Sequence, residues 1–458
     1  MNSPSPVDPI MSQIWAMFRS VTPDSFFGAF KPTSGAGSGG GIFDLSVVIW
    51  LMIYQRLHAK GTLDVAVQQL ARLARSGQWP LAGAGKRLRE ARVSSKTGGY
   101  CQARQKLSTL VVSQLTESMY EQLRRHLSAG AGPPVLLIDG TTLQLSHEPE
   151  LVRAFPPGRN QHGDNHWPVL LLVAFHDART GLAAAPAWGP MYGPQAVSEQ
   201  ELAKQALGRL PADAIVMADS NFGIFAFAQA VAASRRLLIA RLTTVRANKL
   251  TGGMFPPAGT RRKVTWTPSA YEKKMHPDLA PGASLQGWVI VCNHPARPGE
   301  KFYLFTTMDQ EPPQVLAWYK LRWNIETDLR SLKRTVRLHQ ISAKRESMVE
   351  KELLVAVAAY NFVRAVMAIA AHRQQAQPRD FSFSVSQDAV MAAWQDLQQA
   401  ATPERYQQQL ELLLFFVSKA KLPKRARPRS YPREIWGRGG HFPFRRSPSH
   451  RAPRGEKN

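Results

Sequence analysis

Residues 134–143 read PVLLIDGTTL, and the fold turns on this stretch. Before it the chain has a helical pattern; at Pro134 the pattern changes to strands. Val135–Ile138 is a continuous apolar run that ends in Asp139 and meets Gly140-Thr141-Thr142, the mark of a strand buried on both faces that stops at a functional edge. Downstream, Val169–Phe175 and Gly181–Trp188 flank the turn HDARTG and read as a hairpin. A helix over Ser198–Leu210 leads to AIVMAD, Ala214–Asp219, a second apolar strand closing in an acid. Helix Phe222–Ala233 and strand Leu237–Leu242 follow. A hairpin followed by strand and helix in alternation predicts an α/β fold, a mixed sheet with helices on its faces.

On the N-terminal side, Leu45–His58, Leu63–Arg75 and Leu110–Leu127 carry helical periodicity, with Thr62 placed as an N-cap. Arg104 and Lys106 in this region suit a DNA-binding helical module, and equally a bundle that packs on its neighbour. The Gly/Ser-rich run Lys31–Gly41 reads as a linker. Gly83-Ala84-Gly85-Lys86 is no phosphate loop, since Pro80 replaces its first Gly and Arg87 its Ser or Thr. From Thr243 to Met308 the helical signal gives way to VTWTP, LQGWVIVC and KFYLFTTM, a mostly β insertion. Beyond it, helices are expected at Leu353–His372, Val385–Ala401 and Pro403–Lys419. The last 40 residues hold 13 Lys and Arg against two Glu, a basic tail expected to be disordered alone.

The chain of 458 residues has 58 Lys and Arg against 33 Asp and Glu, a net charge of +25 that favours a polyanionic partner, nucleic acid first. Cys101 and Cys292 stand far apart without CxxC or CxxH spacing, which argues against a disulfide framework and a zinc finger. No signal peptide is legible. The apolar run at Leu353–Ala371 carries Asn361 and Arg364 in its interior, so it reads as a buried helix and no membrane partner is expected.

Trp318–Arg337, WYKLRWNIETDLRSLKRTVR, reads as one helix. Tyr319, Arg322, Glu326, Arg330 and Lys333 fall within an arc of roughly 80°, beside an apolar stripe of Trp318, Leu321, Ile325, Leu329, Leu332 and Val336. A solvated face held by i,i+4 ion pairs would look the same. Asp139 could equally form a turn, and Asp219 could cap a helix. Taken together, however, two acids that close buried strands and one acid among cations suit hard divalent metals. A pair of such ions about 3.5–4 Å apart serves phosphodiester hydrolysis and transesterification.

The spacing Tyr319-x2-Arg322-x3-Glu326-x6-Lys333 resembles the YREK signature of the DDE transposases of insertion sequence family four. LIDGTTL (Leu137–Leu143) and ADSNFG (Ala218–Gly223) resemble that family's two aspartate motifs, in the expected order. RNQHG (Arg159–Gly163), Tyr100–Arg104 and PRSYPR (Pro428–Arg433) are also similar, so the resemblance covers about 43–435. It implies an RNase H-like core in which Asp139, Asp219 and Glu326 bind two Mg²⁺ or Mn²⁺ ions. It also implies cleavage of the element's DNA ends and attack of the freed 3′-OH on target DNA. Tyr319, Arg322 and Lys333 match positions that hold phosphates and terminal nucleotides, with Arg330 on the same face. Trp323 could stack on a displaced base or belong to the core; Trp266 and Trp288 are alternatives. Ser220-Asn221 departs from the Arg-Gly found in many relatives.

The organisation then expected is a flexible segment and linker at 1–41, a helical DNA-binding domain at 42–130, and an RNase H-like core at 131–242 and 311–375. That core is interrupted by a β-rich insertion at 243–310 and followed by C-terminal helices at 376–418 and the tail at 419–458. The expected partners are element-end and target DNA, in a synaptic homodimer of a bacterial, cytoplasmic, nucleoid-associated protein. A catalytically silent DNA-binding repressor and a metal-dependent nuclease without strand transfer are the alternatives.

Overall fold

Val135–Ile138 are almost wholly excluded from solvent, and they form the middle of the sheet that the rest of the chain covers. The computed structural model describes residues 42–75, 88, 90, 92–127, 132–160, 163–294, 299–399 and 402–423. The linker at 31–41, the segment Gly83–Lys86, Gln161 and His162 of the RNQHG run, PRSYPR and the tail beyond 423 lie outside the described residues.

Strand β1 (Val135–Gln144) is followed by the short pair β2 (Arg159–Asn160) and β3 (Gly163–Asp164), then by β4 (Val169–Asp177) and β5 (Ala187–Pro190). Strands β6 (Ile215–Ala218) and β7 (Leu237–Leu242) come next, and β8 (Arg261–Trp266), β9 (Leu285–Asn293) and β10 (Lys301–Thr306) complete the set. Apart from β2 and β3 they join in one sheet, in the order β5-β4-β1-β6-β7-β10-β9-β8. β1, β6 and β7 are parallel; β4 and β5 are antiparallel beside β1, with the second strand at Ala187–Pro190 in place of the expected Gly181–Trp188 and the isolated bridge His176↔Ala183 near the turn. This five-strand arrangement is the RNase H-like core.

β1 does not stop at Asp139. Its antiparallel register with β4 continues from Leu136↔Asp177 to Gln144↔Val169, whereas its parallel partner β6 ends at Ala218. The apolar run therefore marks where one neighbour leaves, and the strand itself goes on. Parallel neighbours need crossovers, and helices supply both. The helices in chain order are α1 (Leu45–Leu57), α2 (Leu63–Arg75), α3 (Gly98–Lys106), α4 (Thr109–Leu127), α5 (Pro149–Ala154), α6 (Glu199–Ala206) and α7 (Phe225–Ala233). Of these, α6 joins β5 to β6 and α7 joins β6 to β7.

The stretch 243–310 contains the three expected strands and, in addition, α8 (Thr244–Thr251) and α9 (Ala270–Met275). Its strands are not set apart from the core. β10 pairs antiparallel with β7, then β9 with β10 and β8 with β9, so the row of unpaired groups along β7 is satisfied by the insertion itself.

The helix expected over Trp318–Arg337 is divided. α10 (Pro312–Lys320) passes through a 3₁₀ turn at Leu321–Trp323 into α11 (Asn324–Arg330), which continues as a π-helical turn over Ser331–Thr335. Departures from 3.6 residues per turn rotate successive side chains, so a single 80° polar arc is not maintained. The apolar stripe persists: Ile325, Leu329, Leu332 and Val336 are buried.

Behind α11 lies α12 (Glu346–Arg373), followed by α13 (Phe383–Gln399) and α14 (Pro403–Lys419). α12 is long and apolar enough to cross a membrane by length and composition, but its apolar window is wholly buried inside the protein. α1 and α4 pack on it. Between them Glu352 takes Arg56 on one carboxylate oxygen and Arg104 on the other. Lys351 Nζ donates to the carbonyls of Arg104, Gln105 and Leu107, closing the C-terminal end of α3 at 2.9–3.1 Å. Tyr100 and Arg104 are thus buried joints between helical layers, and Arg104 is no exposed DNA contact.

Candidate active site

The register of β1 and β6 sets the geometry. Leu137 lies opposite Met217 at the last paired position of the two strands, and Asp139 and Asp219 each follow two residues further on, near enough for the charge of Asp219 to act on Asp139. Burial pushes the Asp139 carboxyl up to about 6, the charge of Asp219 adds to that rise, and Glu199 contributes in the same sense. The Gly140 amide and the Arg322 guanidinium oppose it. Gly140 N–H donates to Asp139 Oδ1 at 2.9 Å, and Asn221 N–H to Asp219 Oδ1 at 2.8 Å. Asp139 is thus a residue of a continuous strand and does not make a turn. Asp219 braces its own loop and does not cap α7, whose N-cap residue is Ile224 and whose first amide, that of Phe225, donates to Glu272 Oε1 at 2.8 Å.

The third acid the strand ends bring near is one the sequence reading passed over. Gly140, one residue beyond Asp139, faces the other side of β1, and a Cβ built there would lie 2.1 Å from Glu199 Oε1. Glu199 opens α6, which Ser198 caps. Burial raises its carboxyl, the hydrogen bond from Asn221 lowers it, and Asp219 raises it again. The legible signals were a glycine directly after the first aspartate and an acid directly after a helix cap; neither identifies a site alone.

Glu326 lies on α11, which packs against β1, and its side chain is exposed. Among the described residues no three His, Cys, Asp or Glu side chains gather closely enough to hold a metal ion. The sheet brings two aspartates together, and Glu326 stands on the flank. Asp139 and Asp219 are hard oxygen donors of the kind a divalent cation takes, and a half-buried like-charged pair favours one.

The cations divide by burial. Arg322 is buried, with its Nε lacking a hydrogen-bond partner, and its guanidinium lies 6.0 Å from the Tyr319 ring and 5.2 Å from the Trp323 ring. Tyr319 is buried too, its hydroxyl pushed up to about 12 by burial despite the nearby Arg322 and Arg241 guanidiniums. Lys333 Nζ donates to Thr141 Oγ1 at 3.0 Å and to the Thr142 carbonyl at 2.9 Å, tying the π-helical turn to the strand of Asp139. Arg330 is exposed and Trp323 is 58% exposed. Trp266, by contrast, packs edge-on against Phe225 and Phe305 in the core and is no stacking platform. Trp288 lies beneath the Arg261 guanidinium, 4.1 Å from it. Arg246 was not singled out by sequence; it reaches the Ser220 carbonyl at 3.3 Å and so steadies the Asp219 loop from α8.

The raised Asp139 carboxyl gives a test that needs no ligand. A carboxylate whose folded value exceeds its unfolded one, near 3.9, favours the fold while protonated. That contribution is complete below the unfolded value and disappears as the pH rises through about 6. Thermal midpoints in chelator should therefore show Asp139→Asn gaining on wild type between pH 5 and 7.5. Parallel curves would contradict the assigned environment.

A family model described as Transposase DDE domain matches residues 130–362. No curated protein matches the chain. A solved structure, the cryo-EM structure of piggyBac transposase synaptic complex with hairpin DNA, is similar at 10% identity and a TM-score of 0.36, covering 89% of this chain and 82% of that one. The family match occupies half of the chain, from just before β1 through α11 and into α12, and with it the chain belongs to the DDE transposases.

Proposed function

We propose that this DDE transposase is of the insertion sequence family-four kind, cutting the DNA ends of its element and joining the freed 3′-OH to target DNA. The carrying observation is the proximity of Asp139 and Asp219, each two residues past the last paired position of β1 and β6, with Lys333 bonded two residues beyond Asp139 on the same strand. Asp139, Asp219 and Glu326 would hold two Mg²⁺ or Mn²⁺ ions. Bound there, the ions supply an activated water and charge neutralisation at the leaving oxygen. The packing of α11 against β1 supports including Glu326 in that set.

In this reading the chain's own groups position DNA. Arg330 and Lys333 meet phosphates, and the exposed Trp323 offers an indole face to an unpaired base, with Arg322 behind it. Tyr319 is buried against Arg322 and supports that guanidinium from below. Two copies of the chain would bring two element ends together in a synaptic dimer, with α1–α4 and the basic tail adding DNA contacts.

The direct experiment incubates the full chain and Mg²⁺ with DNA carrying the element ends and a target plasmid. Cut ends and joined product are expected. Bound but uncut ends would favour a silent repressor, and cut ends without joining a nuclease. Binding should also weaken steeply with salt, given the net charge of +25, with a log–log slope of about −0.9 for each phosphate neutralised. A flat titration between 50 and 200 mM would remove DNA as the partner.

A further inference from the structure

Asn221 uses every polar group it has. Its backbone N–H donates to Asp219 Oδ1 at 2.8 Å, and its Nδ2 donates to Glu199 Oε2 at 2.5 Å. Its Oδ1 and its carbonyl both accept from Gln200 Nε2, at 2.9 and 2.8 Å. Glu199 can only accept when ionised and the Gln200 amide nitrogen can only donate, so the orientation of the Asn221 amide is fixed by its neighbours. Two consecutive residues at the start of α6 therefore grip the residue that grips Asp219.

The grip depends on the strand of the other aspartate. Glu199 reaches Asn221 across the position where Gly140 has no side chain; a Cβ there would fall 2.1 Å from Oε1 and 2.2 Å from Cδ of Glu199. β6 has ended by this point, so no strand lies between β1 and the Asp219 loop. On the far face of β1 the Arg322 guanidinium, buried with an unpartnered Nε, lies near Asp139. Asp219 is thus braced through Asn221 by Glu199, while the Arg322 cation lies near Asp139.

We infer that Glu199 is a positioning residue of the active site, acting through Asn221 to hold the Asp219 carboxylate where it and Asp139 share a divalent cation. The inference rests on the metal-binding reading given above. The Glu199–Asn221–Asp219 relay is how this chain fixes its second aspartate. Partners that orient a metal's ligands from behind are worth about 10–100-fold in metal affinity.

The test measures Mn²⁺ binding to the full chain by titration calorimetry, without DNA. Glu199→Ala and Asn221→Ala should each weaken Mn²⁺ by about 10–100-fold. The double variant should lose no more than the worse single one, because both changes break one relay. Glu199→Gln keeps an acceptor for Asn221 Nδ2 and should recover most of the affinity, which a loss of charge or of general stability would not allow. Circular dichroism melting identifies any variant that fails to fold, and the Gln variant then decides the matter. Wild-type Mn²⁺ affinity in Glu199→Ala, or losses that add in the double variant, would overturn the inference alone. A wild-type chain that takes up no Mn²⁺ would instead overturn the metal-site reading, and this inference with it.

Discussion

Asp139→Ala, Asp219→Ala and Glu326→Ala are each expected to bind element-end DNA about as tightly as wild type and to cut it at least about 1,000-fold more slowly. That factor corresponds to roughly 4 kcal/mol of lost transition-state stabilisation. The separation of binding from cutting follows from charge. Removing one acid from a chain of net charge +25 strengthens its attraction to phosphate, whereas the same change takes away an oxygen donor from the site where a phosphodiester would react. Pairwise combinations should be hardly worse than single changes, because groups that act as a unit fail together. Gel-shift and cleavage assays on the same preparations provide the check. Glu326→Ala is the sharpest of the three, since Glu326 is exposed on α11 and stands apart from the aspartate pair. Cutting within tenfold of wild type by that variant would remove Glu326 from the site and point to Glu199, whose charge acts on Asp139 together with that of Asp219.

The elements that a single period specifies were legible. Val135–Ile138 and Ala214–Ala218 read as buried strands because parallel strands covered by helices are apolar throughout, and α2 and α14 occupy the spans expected from their repeats. In the insertion the strands were legible and their place in the sheet was not. Apolar and aromatic runs between Pro and Gly loops announce β8–β10 as strands but say nothing of which edge they join, and the edge of β7 took them. Trp318–Arg337 misled because hydrophobic periodicity survives a 3₁₀ and a π-helical turn that change the direction of the polar side chains. At the site, Asp139 and Asp219 could be found because each closes an apolar run. Glu199 could not, since its partners Gly140 and Asn221 lie about 59 and 22 residues away, and only strand pairing brings the three together.

Asp328 carries the largest expected effect on stability. Two residues beyond Glu326 on α11, it points to the opposite side of the helix and is fully buried. Its Oδ1 accepts from Arg364 at 2.6 Å, and Arg379 clasps both oxygens at 2.9 and 2.8 Å. Arg379 also donates to the carbonyls of Ala178 and Asp177 at the end of β4, and Arg364 to the Tyr360 hydroxyl. One carboxylate thus joins α11, α12 and the β4 hairpin, and sets the side from which Glu326 is presented. Asp328→Ala would leave two guanidiniums buried or nearly so without their anion, a loss of about 3–5 kcal/mol. Urea unfolding should show it as a lowered midpoint with an unchanged slope. The pH dependence has a defined sign. Burial alone would raise the Asp328 carboxyl, but Arg379 and Arg364 outweigh it and hold it below its ordinary value. Its contribution is therefore present above the unfolded value near 3.9 and is lost as the pH falls through the folded one. His176, beside it, is held neutral by burial at about 4, so it too costs stability as the pH drops below about 6.5. Below about pH 3.9 wild type should lose stability that Asp328→Asn does not lose; a variant that follows wild type there would show that the buried carboxylate is not what ties α11 to the sheet.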